Sequence, residues 1–210
     1  MESKSGIKYI GIAGNIGAGK TTLCSQLGKH FDWDVHYEST DDNPYLSDFY
    51  HDMARWSFNL QVYFLHNRYK QVLKILNGDK IVVQDRTIYE DANIFALNLH
   101  QMGLMSKRDF DNYREIFDLL IAQIQEPGLL IYLKASIATL VEHIQSRGRD
   151  YEGNMSIDYL KRLNGMYDQW IGNYKGKLLV IPVDGLDFKN NPEDMGKVMN
   201  LVQAELHGLF

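Results

Sequence analysis

The sequence contains a single cysteine, Cys24, among 210 residues, so no disulfide bond can form within the chain. It lacks an apolar signal region at its amino terminus and any apolar run near the roughly 18 residues of a membrane-spanning helix. Basic residues are not in excess, since the formal net charge is −5, whereas a general nucleic-acid-binding protein usually carries a basic face. These absences predict a cytoplasmic protein that binds neither nucleic acid nor a membrane, with Cys24 as a small core residue.

The chain is long enough for one α/β domain with a sizeable core. Its hydrophobic content of 45% is ordinary for a globular protein. Low-complexity segments and internal repeats are absent from the sequence. We therefore expect residues 1–210 to form a single domain.

Residues 14–21 carry the strongest motif in the chain. They fit the pattern G-x-x-x-x-G-K-[ST] of a phosphate-binding loop (P-loop), and the flanking segments are typical of a strand before it and a helix after it. The glycines allow backbone angles at which successive N–H groups point at one anion, and the helix N-terminus adds partial positive charge. We expect Lys20 to reach the β- and γ-phosphates and the Thr21 hydroxyl to hold Mg²⁺. The predicted phosphate-binding residues are Gly14, Asn15, Ile16, Gly17, Ala18, Gly19, Lys20, Thr21 and Thr22.

Five short apolar runs alternate with helical patterns along the chain. Such runs suit strands that are buried on both faces of a parallel sheet. The alternation predicts a doubly wound α/β fold, with a five-stranded parallel sheet flanked by helices. The second run is more polar than the others and suits an edge. The predicted strands are residues 7–13, 34–38, 80–85, 128–135 and 177–184, and the predicted helices are residues 53–77, 106–124 with Ser106 as N-cap, 137–146, one after Ser156 and one that opens at Pro192.

Charged residues stand at the ends of two predicted strands. In such sheets the ligand sits at the carboxyl ends of the strands, and the second and third strands end at Glu38 and at Asp85-Arg86. If both strands flank the first, these side chains project near the P-loop. A carboxylate there can hold Mg²⁺ or take a proton from an acceptor hydroxyl, and an arginine can neutralise the migrating phosphoryl group. For Glu38 alone, a surface carboxylate is an equally good interpretation.

A pair of arginines, Arg147 and Arg149, follows the predicted helix 137–146. Together with the intervening glycine, they are expected to close over phosphates as a lid across about residues 147–155. The alternative is a solvated basic turn at a helix C-terminus, where arginine is favoured in any case.

Gln61 and Arg68 lie two turns apart in the long predicted helix and therefore share one face. Because a buried glutamine needs hydrogen-bond partners, that face either lines a polar pocket or is exposed. The aromatic residues at helical spacing nearby are more often core than ligand-binding residues.

Together, these segments resemble the deoxynucleoside kinase family, which includes deoxycytidine, deoxyguanosine and bacterial deoxyadenosine kinases. The resemblance covers nearly the whole chain and implies a P-loop kinase fold with an arginine lid. Each short segment is weak alone, but their order and spacing are specific. The matching segments are residues 14–21, Glu38, Tyr50, residues 55–61, 85–91 and 94–96, and residues 147–149.

The resemblance implies a role for each matching residue. Glu38 matches the general base that takes the proton from the 5′-hydroxyl, and Lys20 and Arg86 complete the implied catalytic set. The implied Mg²⁺ site consists of Thr21, Asp85 and Glu38. The implied nucleoside-binding residues are Tyr50 and Glu152 at the sugar 3′-hydroxyl, Arg86 and Glu38 at the 5′-hydroxyl, Gln61, Arg68 and Asp91 at the base, and Phe95 stacked on the base, with Arg147 and Arg149 as lid arginines.

The chain departs from the family pattern at three positions. Ser39 follows the general base where many relatives have proline, and Thr87 stands where serine is usual; both changes are mild. His143 occupies a helix position, four residues before Arg147, where several relatives carry another arginine. The lid is thus one fixed positive charge short, so the other cations of the site must carry the phosphoryl charge.

We therefore expect phosphoryl transfer from ATP with Mg²⁺ to the 5′-hydroxyl of a deoxynucleoside, as in nucleotide salvage. Tyr50 packed near the sugar would crowd a 2′-hydroxyl and favour deoxyribose. Gln61 reads adenine and cytosine alike, and with its amide flipped it reads guanine or thymine. Asp91 paired with Arg68 disfavours thymine, and purines are favoured, deoxyadenosine first. The resemblance also implies a homodimer packed through helices.

Two other classes of protein share part of this pattern. A nucleoside monophosphate kinase such as thymidylate kinase also has a P-loop and an arginine lid, but Glu38 would repel a monophosphate acceptor. A nucleotide-binding regulatory protein needs no acceptor, and such proteins rarely need several polar side chains converging on a second pocket. Transfer of phosphate to a deoxynucleoside distinguishes the three classes.

Overall fold

Five strands form one parallel sheet in the order β2-β3-β1-β4-β5. The computed structural model describes residues 7–38, 43–148 and 156–207, and the sheet lies within them. The predicted α/β class and five-stranded parallel sheet are therefore confirmed. The strands are β1 (Tyr9–Gly14), β2 (Asp34–His36), β3 (Val82–Asp85), β4 (Leu129–Lys134) and β5 (Leu178–Pro182).

Helices follow each strand, as the alternating pattern predicted. Three short helical segments run on without a break after β3, and the middle one is π-helical (Asp91–Ala96). The α-helices are α1 (Lys20–Phe31), α2 (Leu46–His51), α3 (Met53–Asn77), α4 (Ile88–Glu90), α5 (Leu97–Gln101), α6 (Lys107–Ile121), α7 (Ile137–Arg147), α8 (Ile157–Gly172) and α9 (Pro192–His207).

Local capping signals place several helix starts where the sequence predicted them. The Ser106 side chain accepts from the backbone N–H of Asp109, and the Ser156 side chain accepts from that of Tyr159. These bonds satisfy N–H groups that have no partner within the first helical turn.

The two faces of the sheet pack against different helices, because alternate strand residues point to opposite sides. Ile10 and Ile12 of β1 pack with apolar residues of α1 and α9, whereas Ala13 packs with residues of α8. Cys24 of α1 is fully buried in the first of these clusters, as expected. Among the described residues, no helix is both long and apolar enough to cross a membrane.

The position of β2 differs from the expectation. β2 ends at His36, so Glu38 lies in the connection that follows it. The expected position of Glu38 near the P-loop assumes that β2 and β3 both lie beside β1. β3 does, but it separates β2 from β1, so the assumption is wrong for β2. Its residues are only partly covered, which is typical of the edge position that its polarity suggested.

The predicted end of α6 is also wrong. The helix ends at Ile121 rather than at residue 124. Ile124 lies beyond the helix but packs against two buried apolar clusters. Ile124 is therefore apolar because it is buried in the connection after α6. Its position in the sequence continues the apolar spacing of the helix, although the helix itself has ended. The other predicted strands differ from the observed ones by at most two residues at each end.

Candidate active site

The P-loop connects β1 to α1 with a backbone that requires glycine at two positions. Gly17 and Gly19 have φ angles of +84° and +92°, in the left-handed region. A Cβ atom on Gly17 would lie 2.8 Å from the Leu140 carbonyl oxygen, and one on Gly19 would lie 2.7 Å from the Phe188 ring. Because α1 begins at Lys20, its N-terminus adds partial positive charge to the loop.

Two side chains of the P-loop fix its conformation. Lys20 Nζ donates to the carbonyl oxygens of Gly14 and Asn15, at 2.9 and 3.0 Å. The Asn15 amide donates to the Leu160 carbonyl oxygen and to Asn164 Oδ1 of α8, at 3.1 and 2.7 Å. Asn15 therefore anchors the loop to α8 through its side chain.

One cavity of about 1250 Å³ extends from the P-loop across the carboxyl ends of the strands. Its volume exceeds the roughly 300–1,000 Å³ of a typical small-molecule site, so it has room for two ligands side by side. Apolar and aromatic side chains of α2 and α3 line the end that is away from the P-loop. The lining includes P-loop residues Gly17, Gly19, Lys20, Thr21 and Thr22, residues Glu38, Asp85 and Arg86 at or just after the ends of β2 and β3, and Leu46, Phe49, Tyr50, Gln61, Phe64, Asp91 and Phe95.

Glu38 lies at the centre of a charged cluster between the two ends of the cavity. Its Oε1 atom is 2.9 Å from Arg68 Nη2 and 3.0 Å from Arg86 Nε. Removal from water raises the pKa of this carboxyl, but Arg86, Arg68 and Lys20 outweigh that effect and lower it to about 2. Glu38 is therefore a carboxylate at every physiological pH, and its side chain remains 20% exposed.

Arg68 lies behind the cavity rather than in its lining. Its Nε atom is 3.2 Å from Asp91 Oδ2, and its Nη1 atom donates to the Asp85 carbonyl oxygen at 3.0 Å. Burial raises the pKa of Asp91, and Arg68 limits the rise, so that the pKa lies at about 6. Arg68 therefore contacts both Glu38 and Asp91 and holds the two carboxylates.

Arg86 follows β3 directly and has a strained backbone. Its φ of +70° is uncommon for a residue with a side chain. The guanidinium group lies over the Phe95 ring, 4.3 Å from its centroid, and Nη1 donates to the Tyr167 hydroxyl at 2.9 Å. Burial raises the pKa of Tyr167, so this phenol keeps its proton.

Asp85 and Thr21 provide oxygen atoms that fit a divalent cation. The Thr21 hydroxyl donates to Asp85 Oδ2 at 2.5 Å, and the buried Oδ1 atom of Asp85 has no hydrogen-bond partner among the described residues. The part of the chain that the structure describes holds no cluster of three or more metal-binding side chains. Mg²⁺ commonly uses one or two carboxylates together with water and substrate phosphates, so this donor set fits it.

Gln61 and Tyr50 face the cavity from its far end. Gln61 is buried, and its Oε1 atom has no partner among the described residues. Because buried acceptors are normally paired, this atom is available to a ligand donor. Tyr50 lies on α2 and is half-buried. Arg55, which belongs to the matching segment 55–61, is exposed and lies over the Trp56 ring instead of in the cavity.

The expected lid is described only in part. Arg147 is the last residue of α7 and lines the cavity. His143 Nδ1 is 2.8 Å from the Gly17 carbonyl oxygen, so this residue contacts the P-loop directly. Ser39, Arg149 and Glu152, by contrast, lie outside the described residues.

Two groups of residues in and around the cavity were missed by the sequence reasoning. The connection after β5 lines the cavity beside the P-loop, with Phe188 against Gly19. Its position at the carboxyl end of a strand was a usable signal, but no charged strand-end residue drew attention to it. Glu90 and Tyr167, which are buried beside Arg86, had no recognisable pattern because one lies on α4 and the other on α8.

Comparison with known proteins decides between the three functional classes. Residues 10–207 match the deoxynucleoside kinase family. The chain belongs to this family. It is accordingly an ATP-dependent phosphotransferase that acts on nucleosides, and neither the monophosphate kinase nor the regulatory interpretation holds.

Similar deoxynucleoside kinases extend over nearly the whole chain. A deoxyadenosine/deoxycytidine kinase of Bacillus subtilis (strain 168) is 34% identical over 201 residues, which cover 94% of this chain and 93% of the relative. A deoxyadenosine kinase of Dictyostelium discoideum is 37% identical over 201 residues, covering 96% and 80% respectively. The structure of deoxyadenosine kinase from M. mycoides with bound dATP has a TM-score of 0.82 at 26% identity, over 92% of this chain and 98% of that one.

Proposed function

We propose that the protein transfers the γ-phosphate of ATP to the 5′-hydroxyl of a purine deoxynucleoside, deoxyadenosine first. The observation that carries this proposal is the cavity that joins the P-loop to a polar pocket around Gln61 and Asp91, with Glu38 between them. A single domain comprising residues 1–210 performs the reaction, in the cytoplasm.

The chain's own residues supply alignment and charge, which is most of what phosphoryl transfer requires. The 5′-oxygen forms a bond to the γ-phosphorus while the bond from that phosphorus to the β–γ bridging oxygen breaks. Lys20 and Arg86 face the developing negative charge. The hydroxyl proton passes to the carboxylate of Glu38; because the pKa of Glu38 is about 2, the carboxylate is a weak base and mainly orients the hydroxyl before transfer.

The metal site in this proposal consists of Thr21 and Asp85, with Glu38 nearby as a third oxygen donor. The unpartnered Asp85 Oδ1 atom supports it. When bound, Mg²⁺ neutralises charge on the β- and γ-phosphates. The lid arginines Arg147 and Arg149 close over the same phosphates.

Base choice follows from two side chains in this proposal. The free Gln61 Oε1 atom accepts a hydrogen bond from an exocyclic amine, while the amide group donates to the neighbouring ring nitrogen. Asp91, held by Arg68 at 3.2 Å, accepts a second bond from the base. Adenine and cytosine both present an amine, and the names of the relatives above include both bases. This pattern supports placing thymidine last, and deoxyadenosine is proposed to be the first choice because the names of both relatives include it.

Sugar choice is assigned to Tyr50 and Glu152, which hydrogen-bond the 3′-hydroxyl. Tyr50 also crowds the position of a 2′-hydroxyl, so deoxyribose is preferred over ribose. The half-buried position of Tyr50 in the cavity lining supports this assignment. Phe95 stacks on the base from the π-helical segment, which is a backbone form often found at functional sites.

A homodimer packed through α3 and α6 is the proposed assembly. These helices contact each other and expose Leu73, Leu76 and Leu119, the last to 69%. Leu119→Arg should shift the protein to the monomer mass in size-exclusion chromatography with light scattering. Leu201→Arg on α9 is the matched control, because Leu201 is also exposed, and should leave the dimer intact. A monomeric wild-type protein would contradict the assembly.

The reaction itself is tested by product analysis. Deoxyadenosine and thymidine monophosphate are offered separately with ATP and Mg²⁺, and products are identified by mass spectrometry and phosphorus NMR. The proposal predicts deoxyadenosine 5′-phosphate from the first and no product from the second. A 3′-phosphate, or turnover of the monophosphate alone, would contradict it.

A further inference from the structure

Tyr167 and Glu90 form a buried pair beside Arg86. Tyr167 lies on α8 and Glu90 ends α4, and both are fully buried. The Tyr167 hydroxyl donates to Glu90 Oε1 at 2.7 Å and accepts from Arg86 Nη1 at 2.9 Å. Because a single hydroxyl makes both contacts, phenylalanine at this position would lose both.

The two oxygen atoms of Glu90 have separate partners. Oε2 accepts from the backbone N–H of Thr87 at 2.8 Å and from its hydroxyl at 3.2 Å, as part of a capping box at the start of α4. Oε1 accepts from Tyr167 and from the backbone N–H of Gly14 in the P-loop, at 3.3 Å. The contacts of Oε2 are therefore explained by capping of α4, whereas those of Oε1 link Glu90 to the P-loop and to Tyr167 beside Arg86.

Arg86 depends on its surroundings for its orientation. A residue with positive φ is held in place by the structure around it. Its Nε atom is 3.0 Å from Glu38, but Glu38 is also the group that engages the acceptor hydroxyl. During the reaction Glu38 is thus shared with the substrate, whereas the Tyr167 contact on Nη1 is made by protein alone.

The same helix also holds the P-loop. Asn164 lies three residues before Tyr167 on α8, and its Oδ1 atom accepts from the Asn15 amide at 2.7 Å. Adjacent turns of α8 therefore contact the P-loop and Arg86. This arrangement keeps the two phosphate-binding parts in a fixed relation, although they come from β1 and β3.

We propose that Tyr167 and Glu90 are positioning residues that hold the Arg86 guanidinium in line with the transferring phosphoryl group while Glu38 engages the acceptor. This inference rests on the proposed role of Arg86 in phosphoryl transfer. A displacement of about 1 Å at a reacting group can reduce a rate by roughly 10²-fold, so loss of the Tyr167 contact has a measurable consequence.

Tyr167→Phe tests the proposal against Tyr9→Phe as a matched control. Tyr9 is also buried and donates through its hydroxyl, to Gln84 Oε1, but it lies at the end of β1 that is remote from the P-loop. We expect Tyr167→Phe to lower kcat at least tenfold, with the KM of deoxyadenosine and of ATP within twofold of wild type. Both variants should lower the unfolding temperature by similar amounts, and Tyr9→Phe should retain wild-type kcat. A kcat for Tyr167→Phe equal to that of Tyr9→Phe would overturn the proposal.

A double-mutant cycle shows whether Tyr167 acts through Arg86. Arg86→Ala and the double variant are assayed with radiolabelled ATP for residual activity. If Tyr167 acts through Arg86, adding Tyr167→Phe to Arg86→Ala should lower activity little further. If Tyr167→Phe lowers activity by the same factor in the wild-type protein and in Arg86→Ala, Tyr167 does not act by positioning Arg86. Wild-type activity in Arg86→Ala would instead remove the proposed role of Arg86. The two failures are therefore distinguishable.

Glu90→Gln gives a second, independent measurement. The amide keeps the size of the side chain but offers one acceptor oxygen to four donor groups. We expect a fall in kcat together with a rise in the KM of ATP, since Gly14 also loses its partner. Unchanged kcat in a folded Glu90→Gln protein would count against the proposal.

Discussion

The two ends of the cavity are built in different ways. The phosphate end comes from one continuous segment, residues 14–21, and uses mainly backbone groups whose conformation is set by glycines. The nucleoside end combines side chains from the consecutive helices α2 and α3 with others from the π-helical segment, which follows β3. Its buried charges hold one another in place, with Arg68 between Glu38 and Asp91.

We expect the phosphate end to serve the step that is common to all substrates and the nucleoside end to determine which substrate is used. Backbone N–H groups and a helix N-terminus bind any phosphate chain of the right shape. In the proposed function, side chains such as Gln61 and Asp91 distinguish one base from another, because their donors and acceptors match only some bases. Changes at the phosphate end should therefore lower activity on all acceptors, while changes at the nucleoside end should alter their ranking.

The largest effect is expected at Lys20, which lies at the phosphate end. Lys20→Met keeps the approximate length of the side chain but removes the charge that is proposed to face the migrating phosphoryl group. We expect kcat to fall by about 10²–10³-fold on every deoxynucleoside. Lys29→Met, at an exposed position of the same helix, should retain full activity. A loss for one base only would break the proposed division between the two ends.

A smaller effect is expected from Gly19→Ala. The added Cβ would meet the Phe188 ring at 2.7 Å, at a φ of +92°. We expect the KM of ATP to rise about tenfold, with stability lower by roughly 1–3 kcal/mol. Gly103→Ala is the control, because Gly103 has a φ of +72° with nothing within 4 Å. It should lose only stability, and equal ATP affinity in the two variants would contradict this interpretation of the loop.

Asp91→Ala should change the ranking of bases more than the overall rate. The variant removes an acceptor for the exocyclic amine and leaves Arg68 with fewer partners. We expect the ratio of kcat/KM for deoxyadenosine over thymidine to fall several-fold, because thymine has no exocyclic amine to donate to Asp91. Steady-state assays on both nucleosides measure it, with Asp111→Ala on α6, at an exposed position, as the control. An unchanged ranking would contradict the role of Asp91.

The smallest predicted effect is a pH dependence that belongs to the nucleoside end. Burial raises the pKa of Asp91 to about 6; Glu38 adds to the rise, while Arg68 and Arg86 oppose it. Because the ionised form is the better acceptor, kcat/KM for deoxyadenosine should fall as the pH drops through about 6. This parameter reports groups of the free enzyme. Asp91→Asn should remove this fall of kcat/KM at acidic pH. If the variant shows the same fall, a group other than Asp91 causes it.

The phosphate end was predictable from sequence because its signal is local. The P-loop, the strand before it and the start of α1 occur as one segment, and the five-stranded sheet followed from the alternation of apolar runs. The end of α6 was less certain, since Ile124, which is buried outside the helix, continues the apolar spacing of a helix.

The nucleoside end was predictable only where the resemblance supplied the residues. The charged cluster of Glu38, Arg68 and Asp91 depends on packing between distant elements, which the local pattern does not contain. The π-helical segment had no distinguishing pattern either, although it carries Asp91 and Phe95. Tyr167 lies at helical spacing among the buried apolar residues of α8, and such spacing does not show where a hydroxyl points.

The central claim is that the nucleoside end selects purine deoxynucleosides, deoxyadenosine first. It is tested most directly by competition, with equal concentrations of deoxyadenosine, deoxyguanosine, deoxycytidine, thymidine and adenosine in one reaction with limiting ATP. Mass spectrometry then gives the proportion of each monophosphate. We predict that deoxyadenosine monophosphate predominates and that thymidine and adenosine remain unphosphorylated. A predominance of pyrimidine products, or equal use of adenosine, would contradict the account.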